Sequence, residues 1–97
     1  MNDIYSCSTP HLAQYQAYKY LGDTAQLYLS SRKNKKYQIY DPNLRKWIHF
    51  GQLGYADYIK HKDEDRRRKY LSRATKIKGN WKDNPYSPNN LSINILW

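Results

Sequence analysis

Three groups of side chains could carry chemistry in this 97-residue chain. Two of them argue themselves down. His61-Lys62-Asp63 sets a base, a cation and a carboxylate side by side. Phosphodiesterase motifs built from the same three letters space them more widely and come in two copies, whereas this is one tripeptide. Asp63 there reads as the cap of a following helix, with solvated neighbours. His49 lies inside the apolar run Trp47–Phe50 and reads as a packed or hydrogen-bonded histidine at the edge of the core, ahead of a general base. Asp63, Glu64 and Asp65 are consecutive, so on a helix they diverge and do not converge on a divalent cation. Gly51 and Gly54 belong to no phosphate loop, because no Gly-Lys-Ser/Thr follows them. Cys7, the one cysteine, forms no internal disulfide and has no evident partner for nucleophilic work. The expectation is a protein that is not an enzyme, with no catalytic residues, no metal and no cofactor.

The third group is the cations. Seventeen Lys and Arg stand against eight Asp and Glu, a formal charge of +9. Residues 32–82 hold sixteen of those basic residues and five of the acidic ones, a net of +11, and both ends are close to neutral. Arg32, Lys33, Lys35 and Lys36 crowd one short link. Arg66, Lys69, Arg73 and Lys76 fall within roughly 80° of one another at helical pitch. Long cationic side chains attract phosphates, and released counterions drive the binding. Arginine adds bidentate contacts to phosphate oxygens. These eight residues are the expected nucleic-acid-binding set, with DNA ahead of RNA. The aromatics interleaved with them (Tyr37, Tyr40, Trp47, Tyr55, Tyr58, Tyr70, Trp81) read as core in preference to base-stacking surface.

The elements that must position these cations are legible from pattern. Thr9 as N-cap with Pro10 behind it, then Leu12, Tyr15, Tyr18 and Leu21 at three-residue spacing beside Ala13 and Ala17, predict a helix over 10–21 stopped by Gly22. The period then changes. Ala25, Leu27 and Leu29 alternate with polar neighbours, Tyr37 and Ile39 do so after the basic link, and Trp47–Phe50 follows the turn signal Asp41-Pro42-Asn43. Three extended runs joined by two short polar links predict an antiparallel meander. Asp63 caps a second long helix carrying Glu64 and Asp65 in its first turn, where the helix dipole favours them. Glu64–Arg68 and Asp65–Lys69 are acid-before-base pairs, and Gly79-Asn80 marks the helix end. Ser87-Pro88 starts a last short element, helix or strand, whose apolar residues, Trp97 among them, must dock on the domain. The fold expected is α+β: a three-stranded antiparallel β-meander with helices packed on one face. Residues 1–9 read as a flexible end and 10–97 as a single small domain. Trp47, Phe50, Tyr37, Ile39, Leu27, Leu29, Tyr70, Leu71, Ile77 and Trp97 are the expected core.

From Lys35 onward the chain resembles a family of small uncharacterised basic proteins encoded by large nucleocytoplasmic DNA viruses of the mimivirus-like, phycodnavirus and iridovirus groups. The resemblance rests on Lys35-Lys36-Tyr37, Ile48-His49-Phe50-Gly51, Gly54-Tyr55-Ala56-Asp57-Tyr58, His61-Lys62-Asp63, Arg66-Arg67-Arg68, Tyr70-Leu71-Ser72-Arg73 and Leu96-Trp97, in that order. It covers about two thirds of the chain and says little of residues 1–24. It implies a viral origin and a compact hairpin-plus-helix domain, and it assigns no catalytic residues.

The reading that follows is a viral nucleic-acid-binding accessory or virion protein that contacts the phosphate backbone through its basic clusters. The virion or the infected cell's cytoplasm and viral factory is its expected location. The alternatives are a minor capsid or internal scaffold protein, with capsid proteins or further copies of itself as partners, and, last, a small nuclease. No run approaches the roughly eighteen apolar residues of a membrane span. The N-terminus lacks the basic-then-apolar order of a secretory signal, so a protein that is not secreted is expected.

Overall fold

Thr9 and Pro10 start the first helix where the sequence places it. In a computed structural model that describes residues 4–97, helix α1 spans Pro10–Leu21, with Pro10 in its first turn. Gly22 closes it at φ 107°, its N–H donating to the Tyr18 carbonyl, a backbone angle that favours glycine. The buried stripe of α1 is Ala13 and Ala17, both at 0% exposure. Tyr15 and Tyr18 face outward. Alanine on the inner face lets the helix backbone approach its neighbours more closely than a tyrosine stripe would allow.

Strands β1 (Tyr28–Leu29), β2 (Lys35–Asp41) and β3 (Lys46–Gln52) form one antiparallel sheet in sequence order. The register pairs Tyr37 with Phe50 and Ile39 with Ile48. Because strand side chains alternate in direction, these four share the inner face, and all are buried. The tight link between β2 and β3 is an Asx turn: the Asp41 carboxylate accepts from the N–H groups of Asn43 and Leu44. Two members of the expected core fall outside it here. Leu29 is 59% exposed because β1 is only two residues long and ends at the sheet margin. Trp47 is 45% exposed because its position points to the outer face. Leu27, Tyr37, Ile39 and Phe50 are buried as expected.

The helical half follows. Helix α2 (Tyr58–His61) and helix α3 (Glu64–Ala74) meet at Asp63, whose side chain accepts from the N–H groups of Asp65 and Arg66. Helix α3 stops at Ala74, short of the Gly79-Asn80 signal. Past Thr75 the backbone bonds tighten to three-residue spacing, the Lys76 N–H donating to the Arg73 carbonyl and the Ile77 N–H to the Ala74 carbonyl, as at many helix ends. Ile77 therefore leaves the helix and is 53% exposed instead of buried. Tyr70, Leu71 and Trp97 are half-buried. Ser87 caps α4 (Pro88–Leu91), its hydroxyl accepting from the Asn90 N–H, and the chain continues into a π-helical turn over Ser92–Leu96. This tail is the centre of the molecule. Leu91, Ile95 and Leu96 are at most 1% exposed, and the segment packs between α1 and β3.

Residues 7–9 of the segment expected to be a flexible end are held by the fold. The first three residues of that segment lie outside the described ones. From there Cys7 and Ser8 are buried, the Tyr37 hydroxyl donates to Ser8 Oγ at 2.6 Å, and the Thr9 hydroxyl donates to the Ile59 carbonyl.

One ion pair ties these layers together. Lys36 Nζ lies 3.1 Å from Asp57 Oδ2, with side-chain exposures of 3% and 0%. The same ammonium donates to the Tyr55 carbonyl at 2.6 Å. Asp57 Oδ1 caps α2 by accepting from the Lys60 N–H, and the Asp57 N–H donates to the Cys7 carbonyl. Asp57→Ala is expected to cost about 3–5 kcal/mol, because it strands a buried ammonium. Lys36→Met, which leaves a carboxylate that still has backbone donors, should cost less. Urea denaturation of the two variants checks the order; equal or reversed losses would contradict it.

Candidate nucleic-acid interface

Lys36 must first be removed from the expected set of phosphate ligands. It sits in the first basic cluster by sequence, but the structure buries it to 4% exposure and neutralises it with Asp57. The strand alternation breaks at this point, since Lys36 and Tyr37 are both buried. The cause lies across the ladder. Gly51 has φ 76° and no side chain, so the Lys36 stem lies over it. A Cβ there would stand 3.1 Å from Lys36 Cβ and 2.9 Å from Leu96 Cδ1.

The remaining cations divide. Lys35 from β2 and Arg66, Lys69 and Arg73 from α3 line one cleft of about 790 Å³. Arg32 and Lys33 are exposed in the β1–β2 link and do not line it. Lys76 lies beyond the end of α3 and does not line it either. Five of the expected eight residues therefore line the cleft, from two segments far apart in the chain, and one of the five, Lys36, has its charge paired with Asp57. Among the described residues that line the cleft there is no Asp or Glu.

Local pairing decides how much of this charge faces outward. Asp65 takes Arg68 as its partner and holds Lys69 at 3.6 Å. Glu64 accepts from the Tyr58 hydroxyl at 2.5 Å and stands 3.9 Å from Arg67, so the expected Glu64–Arg68 pair is replaced by contacts one residue nearer. Among the described residues Lys35, Arg66 and Arg73 make no ion pair within 4.0 Å. Arg67 has a structural task. Its Nε donates to the Trp97 carbonyl at 2.8 Å, and its guanidinium lies over the Tyr58 ring.

The floor of the cleft is aromatic. The Trp97 ring stacks on Tyr70 with centroids 4.1 Å apart and planes 11° from parallel. His61 meets the same indole edge-on at 5.2 Å. Tyr55 stands at the rim, 68% exposed. The polar and apolar faces of α3 thus adjoin, as an offset of roughly 40° between Arg66 and Tyr70 at 100° per residue requires. Trp97 was expected to dock. That it docks under the cations was not readable, because no local pattern links the tail to α3. Of the aromatics read as core, Tyr37 is buried, Tyr58, Tyr70 and Trp81 are half-buried, and Tyr40, Trp47 and Tyr55 are exposed.

Of the two histidines in this half of the molecule, His61 borders the cleft and His49 does not. The Asp63 N–H donates to His61 Nδ1 at 2.9 Å, which leaves Nε2 carrying the proton. Desolvation, then the nearby Arg66 charge, lowers the His61 pKa. His49 Nδ1 is 2.6 Å from the Ser30 hydroxyl, and desolvation followed by Arg32 and Lys35 lowers its pKa too. Among the described residues neither ring is hydrogen-bonded to a carboxylate, and no group of three His, Cys, Asp or Glu could hold a metal ion.

A sheet of this register, the Lys36–Asp57 pair and the cations of α3 all fall within residues 25–74. Those residues match the Family of unknown function (DUF5754). The chain belongs to that family. The matched segment of the DUF5754 chain carries Lys35, Arg66, Lys69 and Arg73, while α1 and the tail that completes the cleft floor lie outside it. No curated protein and no solved structure matches the chain.

Lowered histidine pKa values make stability depend on pH with a defined sign. The unfolded chain binds protons near pH 6.5 and the folded state only below that. The stabilisation is thus complete above about pH 6.5 and is lost as pH falls through the folded-state values. NMR titration of the His49 and His61 rings should give midpoints below the ordinary value, and the melting temperature should fall from pH 7 to pH 5. Midpoints at or above about 6.5 would contradict this.

Proposed function

We propose that this protein binds DNA without catalysis, gripping backbone phosphates with the cationic wall of the cleft, as an accessory or virion component of a large DNA virus. One observation carries the binding reading: cations from two distant segments converge on one cleft whose described lining holds no Asp or Glu. The viral setting draws only on the motif order from Lys35 to Trp97 described above.

The geometry suits the phosphate backbone better than base edges. Arg66, Lys69 and Arg73 recur along one side of α3, so they present charge as a row, and Lys35 faces them from β2. A row of long, flexible cations positions a polyanion and reads little sequence. The buried Lys36 adds nothing to this attraction, because its charge is cancelled inside the protein.

Duplex DNA titrations at several salt concentrations test the reading. Four engaged phosphates give a slope of log K against log[salt] of about −4. Arg66→Ala and Arg73→Ala should each reduce that slope by about 1. Lys76→Ala, outside the cleft, should leave affinity close to that of the parent. A flat salt dependence, or equal losses from all three substitutions, would sink the cleft as the contact surface. Retention of the protein by the capsid shell after nuclease and salt treatment of virions would favour the scaffold alternative.

A further inference from the structure

Away from the end where Lys36 and Gly51 meet the tail, the outward parity of the sheet carries exposed aromatic residues. Tyr28 is 51%, Tyr40 43% and Trp47 45% exposed. They come from three different strands and touch. Trp47 meets Tyr28 edge-on with centroids 5.6 Å apart and Tyr40 at 5.4 Å. Because β1 ends after two residues, a depression of about 300 Å³ opens beside them, lined in part by Tyr28, Tyr40, Trp47 and Tyr86.

The surroundings select the partner's charge. Asp41, the one acidic residue on the three strands, is buried at 1% exposure. Arg45 and Lys46 are exposed beside Trp47 in sequence. Arg32, exposed in the β1–β2 link, lies close enough to the outward-facing His49 to add to the desolvation that lowers its pKa. Two polar side chains of this face are tied to the protein: Ser30 bonds His49, and Gln38 Oε1 accepts from the Ser31 N–H. A second copy of the chain, itself at +9, would bring the same cations against these across a two-fold contact. An unpaired nucleotide strand meets every requirement. Its bases offer flat π-faces that a duplex hides, and its phosphates match the flanking cations. The choice of a deoxy strand over a ribose one follows the DNA reading above.

We propose that the Tyr28–Trp47–Tyr40 ridge is a stacking platform for unpaired bases of single-stranded DNA, with the flanking cations holding its phosphates. The inference rests on the nucleic-acid reading above for its class of partner, but it uses a different surface and a different force.

The test is fluorescence anisotropy with a labelled deoxythymidine 12-mer, its ribose counterpart and a duplex of equal length. Trp47→Ala should weaken the deoxy single strand by about 5- to 100-fold. It should leave duplex affinity and the salt slope unchanged, and Trp47→Phe should restore much of the loss. Trp47 is half-exposed, and circular dichroism of each variant controls for folding. An unchanged single-strand affinity in folded Trp47→Ala overturns the platform while leaving the cleft reading intact. Loss of single-strand binding with Trp47→Ala but no effect of Arg66→Ala or Arg73→Ala on duplex supports the platform and removes the cleft. Tighter binding of the ribose strand than the deoxy strand overturns DNA as the occupant. A concentration-dependent dimer in sedimentation that Trp47→Ala abolishes, with no change in oligonucleotide binding, assigns the ridge to self-association and overturns it as well.

Discussion

The fold turns on one desolvated charge. A lysine ammonium cannot sit in an apolar interior without a counter-charge and hydrogen-bond acceptors, so burying Lys36 dictates where several other groups must be. Asp57 has to reach it, the Tyr55 carbonyl has to face it, and the opposite strand has to leave room for its stem, which is why residue 51 is a glycine. Asp57 in turn caps α2 and receives the N-terminal segment through Cys7. Such a pair adds little net stability over an apolar replacement of the same shape. Its effect is to fix one arrangement of β2, the loop before α2, and the N-terminal segment, and with it the position of α3 and its cations.

That constraint explains how far the sequence could be read. Elements with local punctuation were legible: Pro10 and Gly22 bound α1, Asp63 and its acidic neighbours start α3, and Asp41-Pro42-Asn43 makes the hairpin turn. Each signal acts within a few residues, so pattern alone carries it. The failures share the opposite property. Nothing near Lys36 in sequence marks it as buried, because its partner stands twenty-one residues away. Leu29, Trp47 and Ile77 look like core by hydrophobicity, but a strand two residues long, an outward parity and an early helix stop each expose one of them. The apolar tail was visible, whereas its place between α1 and β3 was not.

The same division applies to the cations. Charge runs show which segments are basic, but only the fold shows which cations share a surface. Lys35 joins Arg66, Lys69 and Arg73 because β2 and α3 border one cleft. Arg67 and Arg68, in the midst of that run, are spent on Trp97 and Asp65. A count of +11 in the middle of the chain therefore resolves into a small group with open charge, a group tied down by neighbours, and one lysine sealed inside.

The central place of the tail also bears on the order of assembly. Leu91, Ile95 and Leu96 fill the space between the first helix and the last strand, so α1 has no completed surface to pack on until those residues are made. A chain growing from its N-terminus must hold Ala13, Ala17 and Phe50 without their final neighbours for most of synthesis. Contacts this distant in sequence slow folding, and incompletely covered strand edges are exposed meanwhile. The core of this small domain therefore cannot close before residues 91–96 are present.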